Sequence, residues 1–154
     1  MKYLIFAFIM AEIVIGCSNT QSQSPAPKPV LSGKNDSPAL APVPAEKLDG
    51  KVKNAWTFQT ADGIRGYVID VPAKSISTKF LVRVEIIGDV VRSAKVIGYS
   101  NNCYGHQGAG PEFTEQFMGK TVGNLKVDAI SGATNTCNTV TDAVKKALDF
   151  SRTL

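Results

Sequence analysis

The chain has 154 residues, 44% of them apolar and 19% charged, a balance that suits one globular domain and excludes collagen, a coiled coil and a wholly disordered chain. Its 17 Lys and Arg against 13 Asp and Glu leave a net charge of +4, and with no basic run interleaved with aromatics nucleic-acid binding is not indicated. One His and three Cys, at spacings that give no C-x-x-C pair, cannot build a zinc site of the C-x-x-C type.

Residues 1–16 read as a secretory signal. Met1, Lys2 and Tyr3 make a short positive start, and Leu4 to Ile15 is apolar apart from Glu12. Such a run is too short to span a bilayer, which takes roughly 20 residues. Val14-Ile15-Gly16-Cys17 resembles the bacterial lipobox, which implies cleavage before Cys17 and lipid on its sulfur. Two or three acyl chains anchor stably where one binds marginally. Residues 17–46 then form the lipidated Cys and a tether. Six of the eight prolines fall there, Pro25, Pro27, Pro29, Pro38, Pro42 and Pro44, among Ser, Ala, Gln and Asn. Too little apolar area is present to offset the ordering entropy, and the prolines favour an extended chain reaching on the order of 90 Å. The expected location is the cell envelope, outside the cytoplasm, on a bacterial membrane.

Residues 47–154 are the expected folded domain. Trp56-Thr57-Phe58 reads as a short strand or a helix start, and Gly66 to Val71 as a strand. Phe80, Val82, Val84 and Ile86 alternate with Arg83 and Glu85, a half-buried strand. Gly88-Asp89 turns the chain into Val90 to Tyr99 as hairpin partner. Pro111 to Gly119 spaces Phe113, Phe117 and Met118 as a short helix does, and Leu125 to Ile130 reads as a short strand. Val140, Ala143, Val144, Ala147 and Leu148 form one apolar helix face, with Asp142 early and Lys145 and Lys146 late, as the helix dipole prefers. The fold class is α+β, a small twisted antiparallel sheet packed against helices.

The chemistry concentrates just before that last helix, in Asp128-Ala129-Ile130-Ser131-Gly132-Ala133-Thr134-Asn135-Thr136. A helix start offers unpaired N–H groups and a partial positive charge, and a glycine beside it lets a ligand approach the backbone. Together these suit a phosphate. The same residues also suit plain helix capping by Thr134, Thr136 or Asn138.

Asp128, then Ser131-Gly132-Ala133-Thr134, resembles the flavinylation motif of the FMN-binding domain family, found in small flavin subunits of sodium-translocating NADH:quinone reductases and Rnf-type complexes. Gly66-Tyr67, the Gly108-Ala109-Gly110 turn, Glu115 to Lys120 and the Val140 to Leu148 helix look like its members too. The resemblance implies FMN held covalently on Thr134 through a phosphoester, attached by a flavin transferase that uses FAD and a divalent metal. Ser131, Gly132, Ala133 and Asp128 would complete the site, with Asp128 orienting or deprotonating Thr134 and Thr136 as second-choice acceptor. No His adjoins Thr134 to activate it. The protein would then be an electron carrier between envelope redox partners rather than a stand-alone enzyme. The alternatives are the same fold holding FMN non-covalently, or a cofactor-free adaptor lipoprotein.

The family's His-x-Glu-Thr-Pro-Gly-x-Gly stretch is matched here by Cys103-Tyr104-Gly105-His106-Gln107-Gly108-Ala109-Gly110, so the contacts to the flavin ring differ. Tyr104 is a candidate to stack on the ring, with core packing as the alternative; His106 is a candidate donor or a plain loop residue, and Gly110 belongs to the surviving Gly-x-Gly. The resemblance places Cys103 and Cys137 near the flavin, and an exported chain favours a disulfide between them; two buried thiols are the alternative.

Overall fold

The computed structural model describes residues 39–76 and 78–154. The signal segment, the lipidation site at Cys17 and most of the tether lie outside the described residues. Five strands, β1 (Ala41–Pro42), β2 (Asn54–Gln59), β3 (Arg65–Ser75), β4 (Thr78–Ile87) and β5 (Val90–Ile97), form one open sheet in chain order. Every neighbouring pair is antiparallel, as short connections require. A short helix α1 (Pro111–Thr114) runs into a 3-10 turn over Glu115–Phe117, and a long helix α2 (Thr134–Ser151) closes the chain. The class is α+β, as the alternation and helix spacing imply.

The sheet has two faces because side chains alternate along each strand. Tyr67, Ile69 and Val71 of β3 and Phe80, Val82, Val84 and Ile86 of β4 point to one side. There they meet Val140, Ala143, Val144, Ala147 and Leu148 of α2, the helix face expected from the sequence. Phe113 and Phe117 fill the core beyond β5, edge to face at 5.4 Å. β5 buries both Val91 and Ala94, an odd spacing that a regular strand cannot place on one face. A register shift opposite Glu85/Ile86 makes it possible: Ile86 pairs Val91 while Glu85 pairs Ser93, leaving Arg92 as the extra residue of a bulge.

The other face carries a buried ion pair. Asp70, 0% exposed, accepts from Arg83 Nε at 2.7 Å and Nη2 at 2.9 Å and from Asn54 Nδ2 at 3.2 Å. The Arg83 guanidinium also lies 5.4 Å from the Trp56 ring centroid, where the ring's negative face attracts it.

Two expectations need correction. The tether was expected to run to Glu46, but the chain joins the sheet already at Ala41, which pairs with Thr57, and Val43 donates to the Ala55 carbonyl at 2.9 Å. Val43 and Leu48 pack against the core, and the open edge of β2 accepts two residues even though one is a proline. The strand expected over Leu125 to Ile130 is absent: that stretch is extended but joins no ladder. A side chain takes the place of a strand partner there, with Gln116 Oε1 accepting from Asp128 N at 2.9 Å and Gln116 Nε2 donating to the Asp128 carbonyl at 3.2 Å.

Candidate functional site

The first turn of α2 is open. Its N-cap is Ala133, which has no side chain to cap with, and Thr134, Thr136 and Asn138 do not cap it either. The N–H groups of Thr134, Asn135 and Thr136 make no hydrogen bond among the described residues. The capping alternative is thus not realised, and the turn keeps the free donors and partial positive charge that bind anions. Gly132 sits at φ 78° just before it, a left-handed conformation that glycine adopts without strain and that bends the chain into the helix.

The two threonines of this turn have opposite fates. Thr134 is exposed and its hydroxyl has no partner among the described residues. Thr136 is 2% exposed; its Oγ1 lies 3.0 Å from Ser75 Oγ and 3.2 Å from Tyr99 OH. Tyr99 OH donates to the Tyr104 carbonyl at 2.9 Å. Tyr99 has one proton, so one direction satisfies all three hydroxyls: Ser75 donates to Thr136, Thr136 to Tyr99, and Tyr99 to the carbonyl. A one-way chain of this kind polarises each successive bond. Thr136 is therefore spoken for, and Thr134 is the hydroxyl free to react.

The loop before α1 lies flat against this turn, which its glycines explain. Gly105, at φ 78°, would place a Cβ 2.7 Å from Thr136 Oγ1. At Gly108 a Cβ would stand 2.9 Å from Cys137 Sγ, 3.0 Å from Cys137 N and 3.0 Å from Thr136 Cβ. A helix backbone cannot withdraw as a side-chain tip can, so Gly108→Ala overpacks the contact and costs about 1–3 kcal/mol. The expected reading is a lower urea midpoint at an unchanged slope.

Between loop, helix start and the β3–β4 hairpin lies a cleft of about 140 Å³, lined by Ile76, Tyr104, Gly105, Gly132, Ala133, Thr134, Asn135 and Thr136. None of these residues is charged, so attraction for an anion comes from the helix N–H groups alone. Ile76 and Tyr104 are 65% and 76% exposed, two apolar walls beside a polar floor.

The model of the FMN-binding domain matches residues 48–149. The chain belongs to the FMN-binding domain family. No curated protein matches it. Membership makes this a flavin-binding protein with FMN as cofactor, and the cleft's residues suit such a group: free N–H donors that would hold a phosphate, an exposed hydroxyl beside them, and apolar walls flanking both.

Of the motif residues, Gly132, Ala133, Thr134 and Thr136 line the cleft together with Tyr104; Ser131, Asp128, His106 and Gly110 do not. Asp128 and Ser131 are exposed, His106 is half-buried, and Gly110 is the N-cap of α1. Tyr104, far from packing in the core, stands in solvent. The expected Cys103–Cys137 disulfide is not formed. Cys137 is a free, buried thiol, and its Sγ accepts from Ile130 N at 3.4 Å. Gly108 is the loop residue whose missing Cβ leaves room for that sulfur. Ile76, Ser75 and Tyr99 lie outside the motif stretches, and Gly105 and Asn135 lie inside them without a role read from the sequence. Ser75 alone left a signal, sharing the parity of Tyr67, Ile69 and Val71 along β3. Among the described residues no three His, Cys, Asp or Glu side chains gather to hold a metal, and no helix is long and apolar enough to cross a membrane.

Proposed function

We propose that this FMN-binding domain protein carries its FMN in phosphoester linkage on Thr134 and passes electrons between redox partners while tethered to the outside of a bacterial membrane through Cys17. The observation that carries the reading is the contrast within one helix turn: Thr134 exposed and unpartnered beside free N–H groups, Thr136 buried and engaged. FMN, when bound, supplies one- and two-electron chemistry.

The chain's own residues bind and orient. Thr134 Oγ1 forms the bond to the FMN phosphorus of FAD; the phosphoanhydride bond to AMP breaks, AMP leaves, and the threonine proton passes to a base. A flavin transferase with a divalent metal is the agent, because the cleft offers no charged group to activate a hydroxyl. Asp128, six residues upstream in the motif, is exposed and does not line the cleft; its part in orienting Thr134 is proposed from the motif resemblance alone. The remaining negative charge of the diester rests on the first-turn N–H groups of Thr134, Asn135 and Thr136. A covalent link suits a location outside the cytoplasm, where dissociated flavin would be lost.

The test is intact-mass measurement of the full chain made in a host that supplies the transferase, together with yellow fluorescence in a denaturing gel. The expected result is a mass increment of one FMN less water, with colour that survives denaturation. Colour lost on denaturation identifies non-covalent binding and rejects the ester; a chain that is colourless before denaturation and weighs only its amino acids and acyl groups rejects the carrier role.

A further inference from the structure

Among the described residues Ile76 is the one non-glycine with a positive φ, at 46°. For a β-branched side chain this is a disfavoured conformation, because its Cβ crowds the backbone. Burial does not compensate, since Ile76 is 65% exposed at the tip of the β3–β4 hairpin. A glycine would meet the turn without strain. The two-residue loop between Ser75 and Thr78 imposes that φ; what the fold does not call for is a β-branched side chain there. A costly residue choice is a pointer to function, and here the side chain lines the cleft beside Thr134.

Tyr104 lines the same cleft, 76% exposed. The hydroxyl chain ties both walls to the floor. It starts at Ser75, the residue just before Ile76, passes through Thr136 in the first turn of α2, and ends on the carbonyl of Tyr104 itself. The spacing between the two walls, and of each to Thr134, is thereby held by three buried or half-buried hydroxyls. At about 140 Å³ the cleft is too small to enclose a tricyclic ring, so a ring held there keeps one edge in solvent.

We propose that Ile76 and Tyr104 are the two side chains that grip the isoalloxazine ring, and that the Ser75–Thr136–Tyr99 hydroxyl chain sets their spacing; the assignment rests on flavin attachment at Thr134. Tyr99 acts only as a positioning residue, through the Tyr104 carbonyl.

The experiment uses the full chain made with and without a flavin transferase. Without flavin, Ile76→Gly melts no lower than wild type and gains up to about 4 °C as the strain is released. With flavin, iodide quenching of flavin fluorescence rises several-fold in Ile76→Gly and in Tyr104→Leu. Tyr104→Phe, which keeps the ring, stays at the wild-type value. Tyr99→Phe keeps its own ring but frees the Tyr104 carbonyl, so its quenching rises to an intermediate level. A lower melting temperature for flavin-free Ile76→Gly overturns the functional account of the strain. Wild-type quenching in both Ile76→Gly and Tyr104→Leu, on chains whose mass confirms the flavin, overturns the grip alone. A wild-type chain of unmodified mass overturns attachment at Thr134 and the grip with it.

Discussion

Thr134→Ala, made alongside a flavin transferase, emerges without covalent flavin and with its fold intact. The hydroxyl is the atom that would be esterified, so its removal takes the bound fraction from full occupancy to none. Stability hardly changes, because Thr134 is exposed and its side chain has no partner among the described residues. Substitutions at such surface positions stay within about 0.5 kcal/mol. Thr134→Ser keeps the nucleophilic oxygen and remains modified. Thr136→Val behaves oppositely: it keeps the acceptor but breaks the hydroxyl chain, leaving Ser75 and Tyr99 each short of a partner. Intact mass and a thermal melt on each variant separate the two roles. An FMN increment persisting in Thr134→Ala would show that another residue is the acceptor.

The largest effect on stability belongs to the far side of the sheet. Arg83→Met removes two hydrogen bonds from a carboxylate that is 0% exposed and leaves it the Asn54 amide alone. Removing one partner of a buried pair costs about 3–5 kcal/mol, because the desolvated charge stays behind. The double replacement Asp70→Leu with Arg83→Met recovers most of that loss, since the charge and its partner leave together. Urea denaturation of the flavin-free chain measures both, and flavin loading is not involved because the pair lies on the face away from α2. A loss below about 1 kcal/mol for the single variant would mean that the pair behaves like an exposed one.

The sheet and the last helix were legible because one physical signal dominates each. In β4 the inward residues Phe80, Val82, Val84 and Ile86 alternate with Arg83 and Glu85, and only one register buries the first set. In α2 the apolar stripe from Val140 to Leu148 repeats as a helix does. Legibility fails where partners are distant. Val127 and Ile130 look like strand residues, yet the Gln116 amide holds the Asp128 backbone and no neighbouring strand is in place to pair with it. The sheet edge at Ala41 was hidden inside proline-rich chain, since an edge strand needs only one side to bond. The Cys103–Cys137 pairing was not to be had from shared neighbourhood: the Cys137 thiol is free and buried, its Sγ accepting from Ile130 N.

The candidate site divides along the same line. Asp128-Ala129-Ile130-Ser131-Gly132-Ala133-Thr134 is contiguous, so its chemistry and the position of a helix start could be read from residue order alone. Order could not say which threonine is free. Thr134 and Thr136 are the same residue type two positions apart, and about 200° of helical rotation separates them. That rotation turns one toward solvent and the other toward Ser75 and Tyr99, residues distant in the chain. Nor could order supply the walls. Ile76 and Tyr104 meet Thr134 only because the hairpin tip, the glycine loop and the helix start converge at one end of the sheet. Local propensity acts between neighbours along the chain, whereas a cleft is made by packing among segments that are not neighbours.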